Sequence, residues 1–156
     1  MAPRDAQKTF HGWTVLFTEP FLSAYGDLSA RARRLKGELS EEEYVRHPDV
    51  KLFLTLRELT RDVIPSDPHH ADYRLHGDLS KFRRTKGRGL PRRYRLFWVF
   101  SDQLKVIIFL YLNDGRSLRK EGDRSDPYRL FSGMVSRDEI GGDFEENYRR
   151  WQKARS

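Results

Sequence analysis

Apolar residues change their spacing several times along the chain, and each change marks an element. Gly12-Trp13-Thr14-Val15-Leu16-Phe17 is a short run rich in β-formers. It predicts the first strand and leaves residues 1–9 as a loose end. Pro20 suits the first turn of a helix. Leu22, Tyr25, Leu28, Ala32 and Leu35 then recur at spacings of three and four, an apolar stripe on one helix face. Arg31, Arg33, Arg34 and Lys36 load the last turn, where cations complement the helix dipole, and Gly37 is placed to end it. Ser40-Glu41-Glu42-Glu43 matches a capping box. The helix that follows is interrupted or restarted at His47-Pro48-Asp49, because proline opposes continuation. Phe53, Leu56, Leu59 and Val63 keep helical spacing until Pro65-Ser66-Asp67-Pro68 stops it.

After a loop over 65–80 the period changes to that of a sheet. A strand is predicted near Lys81-Phe82-Arg83-Arg84, then a glycine-bearing turn at 87–89. Two apolar runs, Tyr94–Phe100 and Val106–Leu112, are joined by the short connector Ser101-Asp102-Gln103-Leu104, which reads as a hairpin of buried strands. Asn113-Asp114-Gly115 reads as a turn opening a polar loop to Arg124. Ser125-Asp126-Pro127 starts a short helix carrying Tyr128, Phe131 and Val135. A second helix is expected at Phe144–Lys153, with Tyr148 and Trp151 on one side and 154–156 loose beyond it. The sum is one α+β domain over 1–156: two N-terminal helices, an antiparallel sheet with helices on one face, and a C-terminal helix.

Charge decides what such a sheet would serve. The 156 residues carry a net charge of +7, which favours a polyanionic partner. Between Lys81 and Arg95 stand eight cations (Lys81, Arg83, Arg84, Lys86, Arg88, Arg92, Arg93 and Arg95) and no acid. A cationic segment leading into a rigid sheet is a platform for a phosphate backbone, and these residues are the candidate RNA contacts. The plainer alternative is an edge strand kept soluble by its charges. Arg95 interrupts the apolar run, and on a strand it shares a face with Phe97 and Val99, opposite Tyr94, Leu96 and Trp98. An arginine held there can clamp a phosphate bidentately or serve a structural salt bridge.

Arg116, Arg119, Lys120 and Arg124, with Tyr128, form a second basic set. Tyr128 could stack a base or move a proton, or simply edge the core. His76, beside Gly77, is an acid–base candidate in the loop before the basic strand. His69, His70, His76, Asp67 and Asp72 match no standard ligand spacing, so no metal is expected, and nucleotide-binding fingerprints are absent: no cofactor is implied. Cysteine is absent, no apolar run approaches the ~20 residues of a membrane span, and the start MAPRDAQKTF lacks a signal-peptide core. A cytoplasmic protein without membrane partners is the expectation.

One block extends these observations. Arg93-Tyr94-Arg95-Leu96-Phe97-Trp98, Lys105-Val106-Ile107-Ile108, Leu112-Asn113-Asp114 with Leu118-Arg119, and Ser125-Asp126-Pro127-Tyr128 with Phe131 resemble the YhaV toxins of bacterial toxin–antitoxin modules, themselves similar to the RelE superfamily. Gly12-Trp13, Pro20-Phe21 and His76-Gly77 also fit. The resemblance implies a RelE-like α+β fold and an mRNA endoribonuclease, often ribosome-dependent, that inhibits translation and growth. It implies neutralisation by a PrlF-type antitoxin of the AbrB class, and operator DNA bound by the toxin–antitoxin pair. It assigns catalytic roles to Arg95, Arg84, Lys86, Arg119 and Tyr128; for the base, Lys86 and His76 are the candidates read from the residues themselves. The superfamily also includes non-catalytic poisons of DNA gyrase, so inhibition of gyrase or the ribosome by binding stands as the alternative.

Overall fold

The computed structural model describes residues 8–113 and 126–156. Five strands, β1 (Lys8–Phe10), β2 (Trp13–Phe17), β3 (Arg83–Thr85), β4 (Leu96–Ser101) and β5 (Val106–Leu112), form one sheet in the order β1-β2-β5-β4-β3. The central strands β4 and β5 are buried on both faces, which is why their sequences read as nearly continuous apolar runs. The α+β class stands, with two differences from the expected sheet.

The β2–β5 pair is parallel, with Val15 beside Ile107 and Phe17 beside Phe109, so the sheet is mixed rather than antiparallel. A local apolar pattern carries no strand direction, and the chain between β2 and β5 is long enough for a crossover. Helices also cover both faces instead of one. Helix α1 (Glu19–Glu38) and α3 (Pro48–Glu58) close over Trp13, Val15, Leu96, Trp98, Ile107 and Phe109. Helices α4 (Pro127–Ser136) and α5 (Phe144–Arg155) close over Leu16, Phe97, Val99, Ile108 and Leu110.

The ends also differ. Lys8 and Thr9, read as the tail of a loose terminus, form with Phe10 a strand that pairs antiparallel with Trp13–Val15. The turn is His11-Gly12, both at positive φ (52° and 84°), the backbone that a tight two-residue hairpin demands. Gly37 does not end α1. The helix runs to Glu38 and leaves through an extended Leu39, a route that needs no left-handed residue. At the other terminus α5 continues through Ala154 to Arg155. The Ser40 capping box is present and starts the short α2 (Glu41–Arg46), and His47 caps α3 just before Pro48. Beyond α3 the chain turns as a π-helix at Leu59–Val63 and ends in the helical turn Ile64–Ser66. No described helix is long and apolar enough to cross a membrane.

One irregularity shapes the site. Phe97 pairs with Tyr111 and Trp98 with Phe109, so Leu110 is an extra residue in β5. Leu110 and Tyr111 therefore both lie toward α4, and Leu112 returns to the other side. The displaced Leu110 carbonyl is satisfied by the hydroxyl of Thr18, the N-cap residue of α1, at 3.1 Å.

Candidate active site at the margin of the sheet

Three side chains from three elements meet beside β3 and β4. Arg84 stands on β3, Arg95 immediately before β4, and Tyr128 in the first turn of α4. The Arg84 Nη1 and the Arg95 Nε each donate to the Tyr128 hydroxyl oxygen, both at 3.1 Å. Each partner is fixed from behind. Arg84 Nη2 donates to the Asp72 carbonyl at 2.8 Å, and Arg95 Nη1 donates to the carbonyls of Arg92 and Tyr94 at 2.9 Å. The Tyr128 ring meets Phe97 edge-on at 5.8 Å, and Phe97 stacks on Phe131 at 4.1 Å, so the ring rests on the core. Asp126 caps α4 by accepting from the Tyr128 N–H at 2.9 Å.

The lead into β4 is held by a residue that pattern reading took for a turn. Asn113 is fully buried; its Oδ1 accepts from the Arg95 N–H at 2.7 Å and its Nδ2 donates to the Arg93 carbonyl at 3.0 Å. It satisfies an irregular stretch of backbone and sets where Arg95 starts. The Asn-Asp-Gly triplet masked this role, because the same residues are the common vocabulary of turns.

Beside the triad lies an open groove of about 600 Å³ lined by Arg74, His76, Arg84, Lys86, Arg88 and Tyr128, with Asp72 and Tyr73. Lys86, Arg88 and His76 are exposed there. Among the described residues neither Arg84 nor Arg95 faces a carboxylate, and the buried Nε of Arg84 has no hydrogen-bond partner. An unpaired buried donor costs about 1–3 kcal/mol, the kind of expense that active sites carry.

Other expected contacts are placed differently. Arg83 points to the opposite side of β3, over the Phe100 ring at 5.2 Å, and pairs across the edge with Arg74. Burial, and then the charge of Arg74, lower its pKa. Lys81, Arg92 and Arg93 are exposed before β3 and before β4. Arg116, Arg119, Lys120 and Arg124 lie outside the described residues. Among the described residues no three His, Asp or Glu side chains gather as a metal site. Two groove residues had no assigned RNA role in the sequence: Arg74, inside an irregular loop, and Asp72, weighed only as a metal ligand.

The profile of a family described as "Toxin with endonuclease activity, of toxin-antitoxin system" (Toxin_YhaV) matches residues 15–155. The chain is 33% identical over 147 residues to the "Ribonuclease toxin YhaV" of Escherichia coli (strain K12), covering 90% of this chain and 93% of that protein. The "Toxin YhaV" of Escherichia coli O157:H7 matches with the same identity and coverage. No solved structure matches.

Proposed function

The chain belongs to the YhaV toxin family, toxins with endonuclease activity of toxin–antitoxin systems, and on that premise we propose that it cleaves mRNA at the Arg84–Arg95–Tyr128 triad. The observation that carries this reading is the convergence of two guanidinium groups on one phenol at 3.1 Å each. Two cations held by carbonyls rather than carboxylates keep their charge available for an anion. The groove beside them, lined by Lys86, Arg88 and Arg74, offers positive charge along which a phosphate backbone can run. The ribonuclease title of the Escherichia coli K12 relative supports RNA as the polyanion.

The chemistry follows from these contacts. The ribose 2′-oxygen attacks the adjacent phosphorus; the O2′–P bond forms, the P–O5′ bond breaks, and a 2′,3′-cyclic phosphate and a 5′-hydroxyl result. Arg84 and Arg95 stabilise the negative charge that grows on the phosphoryl oxygens, usually the largest catalytic contribution. Tyr128 accepts two hydrogen bonds, so its own O–H proton is directed away from both arginines and can pass to the leaving 5′-oxygen. Lys86 or His76, both on the groove wall, takes the 2′-OH proton. Arg119, outside the described residues, has its catalytic role from the family resemblance alone, and Lys81, Arg92, Arg93, Arg116, Lys120 and Arg124 bind the flanking RNA. Metal takes no part. The target is mRNA in the cytoplasm, engaged on the ribosome, so that cleavage inhibits translation. The antitoxin is a PrlF-type protein of the AbrB class, and the pair binds its own operator DNA.

Induced expression with 5′-end mapping of cellular mRNA tests this, wild type beside Arg95→Ala and Arg84→Ala. New cuts that vanish in both folded variants are expected. Growth arrest over intact mRNA would overturn the reading in favour of a non-catalytic poison of gyrase or the ribosome.

A further inference from the structure

We propose that Asp72 and Arg88 form a nucleobase subsite that selects guanine in the nucleotide next to the scissile phosphate. The inference rests on the ribonuclease reading for the position of the cut, and on the groove's own geometry for the base. Gly87, Arg88 and Gly89 are three successive residues at positive φ (67°, 54° and 100°). Glycine adopts this backbone freely; arginine does so at a cost. The turn is clamped from behind, since a Cβ on Gly89 would come within 3.1 Å of the Thr55 methyl. Its result is to carry the Arg88 guanidinium over the buried Tyr73 ring, 5.0 Å from the centroid. One side of the guanidinium rests on that ring, and its side chain, one-third exposed, lines the groove. A guanidinium so backed is a platform on which an unstacked base can lie.

Beside the platform stands the one carboxylate that lines the groove among the described residues. Asp72 is 71% exposed, with Oδ2 at 3.4 Å from Arg88 Nη2 and 3.7 Å from His70 Nδ1. A carboxylate among phosphate-binding cations opposes the phosphate, so its favourable ligand is an N–H donor. Its oxygens only accept, and they retain lone pairs beyond the one facing Arg88. Guanine presents two donors side by side, N1–H and N2–H, and so matches a carboxylate edge to edge. Adenine and cytosine offer an exocyclic amine beside an acceptor, and uracil a single imide N–H between carbonyls. The Asp72 carbonyl also receives Arg84 Nη2 at 2.8 Å. The base reader and the phosphate-binding arginine thus share one residue, which places the selected base adjacent to the reacting phosphate.

The test uses synthetic ten-nucleotide RNAs, uridine tracts holding a single guanine, adenine or cytosine, in cleavable and in 2′-O-methylated form. Binding of the methylated RNAs is read by fluorescence anisotropy, and cleavage by product mapping. Wild type is expected to bind the guanine RNA about tenfold more tightly than the others, the discrimination typical of one bidentate base contact. Asp72→Asn, which pairs one donor with one acceptor, is expected to abolish that preference and shift it toward adenine. Arg88→Lys is expected to weaken all the RNAs together while leaving their order unchanged. Equal affinity for all bases in wild type, or an unchanged order in Asp72→Asn, would overturn the subsite. Selective binding of guanine, with cellular mRNA left intact on induced expression, would support the subsite and count against the ribonuclease reading.

Discussion

Arg83 and Arg84 are neighbours on the same short strand, and they meet opposite surroundings. Arg83 turns toward the α1 and α3 side, where it lies over Phe100 at 5.2 Å and donates to the carbonyls of Ser80 and Phe82. Arg84 turns toward α4, where it shares a phenol with a second arginine and keeps one buried N–H unpaired. The first side is sealed by apolar side chains, with Trp98 donating to the Thr85 hydroxyl at 3.0 Å. The second side is sealed only as far as Phe97 and Phe131, and beyond them it opens into the groove. Equal charge one residue apart therefore serves different ends, because strand alternation delivers one to a closed face and one to an open margin.

Substitutions can break this contrast, beginning with the strongest. Phe131→Ala removes the ring on which Phe97 stacks at 4.1 Å; a loss of about 3–5 kcal/mol is expected in denaturant unfolding, and because α4 carries Tyr128, activity should fall with it. Leu56→Ala on the opposite face should cost a comparable ~2–5 kcal/mol yet leave the specific activity of the folded fraction unchanged. Next, Arg84→Ala should lower the cleavage rate about 100-fold with its melting temperature preserved, whereas Arg83→Ala should change the rate less than about threefold. Equal losses in the two arginine variants would refute the division of roles.

Asn113→Ala sharpens the contrast at smaller scale. It frees the Arg95 N–H and the Arg93 carbonyl, and a loss of about 1–3 kcal/mol is expected in thermal unfolding, with a reduced cleavage rate. The smallest effect is in alkali. Tyr25 and Tyr73, both on the α1 and α3 side, have pKa values raised above 10.0, first by burial. The unfolded chain loses these protons first as pH rises, so the folded state then holds more protons and stability falls above about pH 10. Replacing both by Phe should flatten that decline in pH-dependent unfolding; a decline of unchanged slope would assign it to other groups.

Much of this was legible in the residue pattern, and the failures have physical causes. Alternation placed Phe97 and Val99 opposite Leu96 and Trp98, as the two core clusters have it. It also put Arg95 on the side of Phe97, although Arg95 itself precedes the strand. The meeting of Arg84, Arg95 and Tyr128 was not readable from spacing, since their contacts span 33 and 44 residues; resemblance brought them together. The first strand was missed because Lys8-Thr9-Phe10 is too short to show a period and its turn is His-Gly instead of a favoured hairpin pair. Helices on both faces were missed because an apolar run buried on two sides looks the same as one buried on one side with aromatic excess.

The additional residue at Leu110 works as a half-period phase shift in β5. Side chains before it and after it keep the two-residue rhythm, but the two stretches are out of step by one. Asn113 reaches the chain leading to Arg95 only in the shifted phase. Deleting Leu110 would keep Tyr111 opposite Phe97, Leu112 opposite Leu96 and Asn113 in place, whereas inserting one residue between Tyr111 and Asn113 would turn Asn113 away, so that insertion should disarm the protein. A deletion in the exposed turn at 102–105, which alters no phase on the Asn113 side, should be tolerated far better.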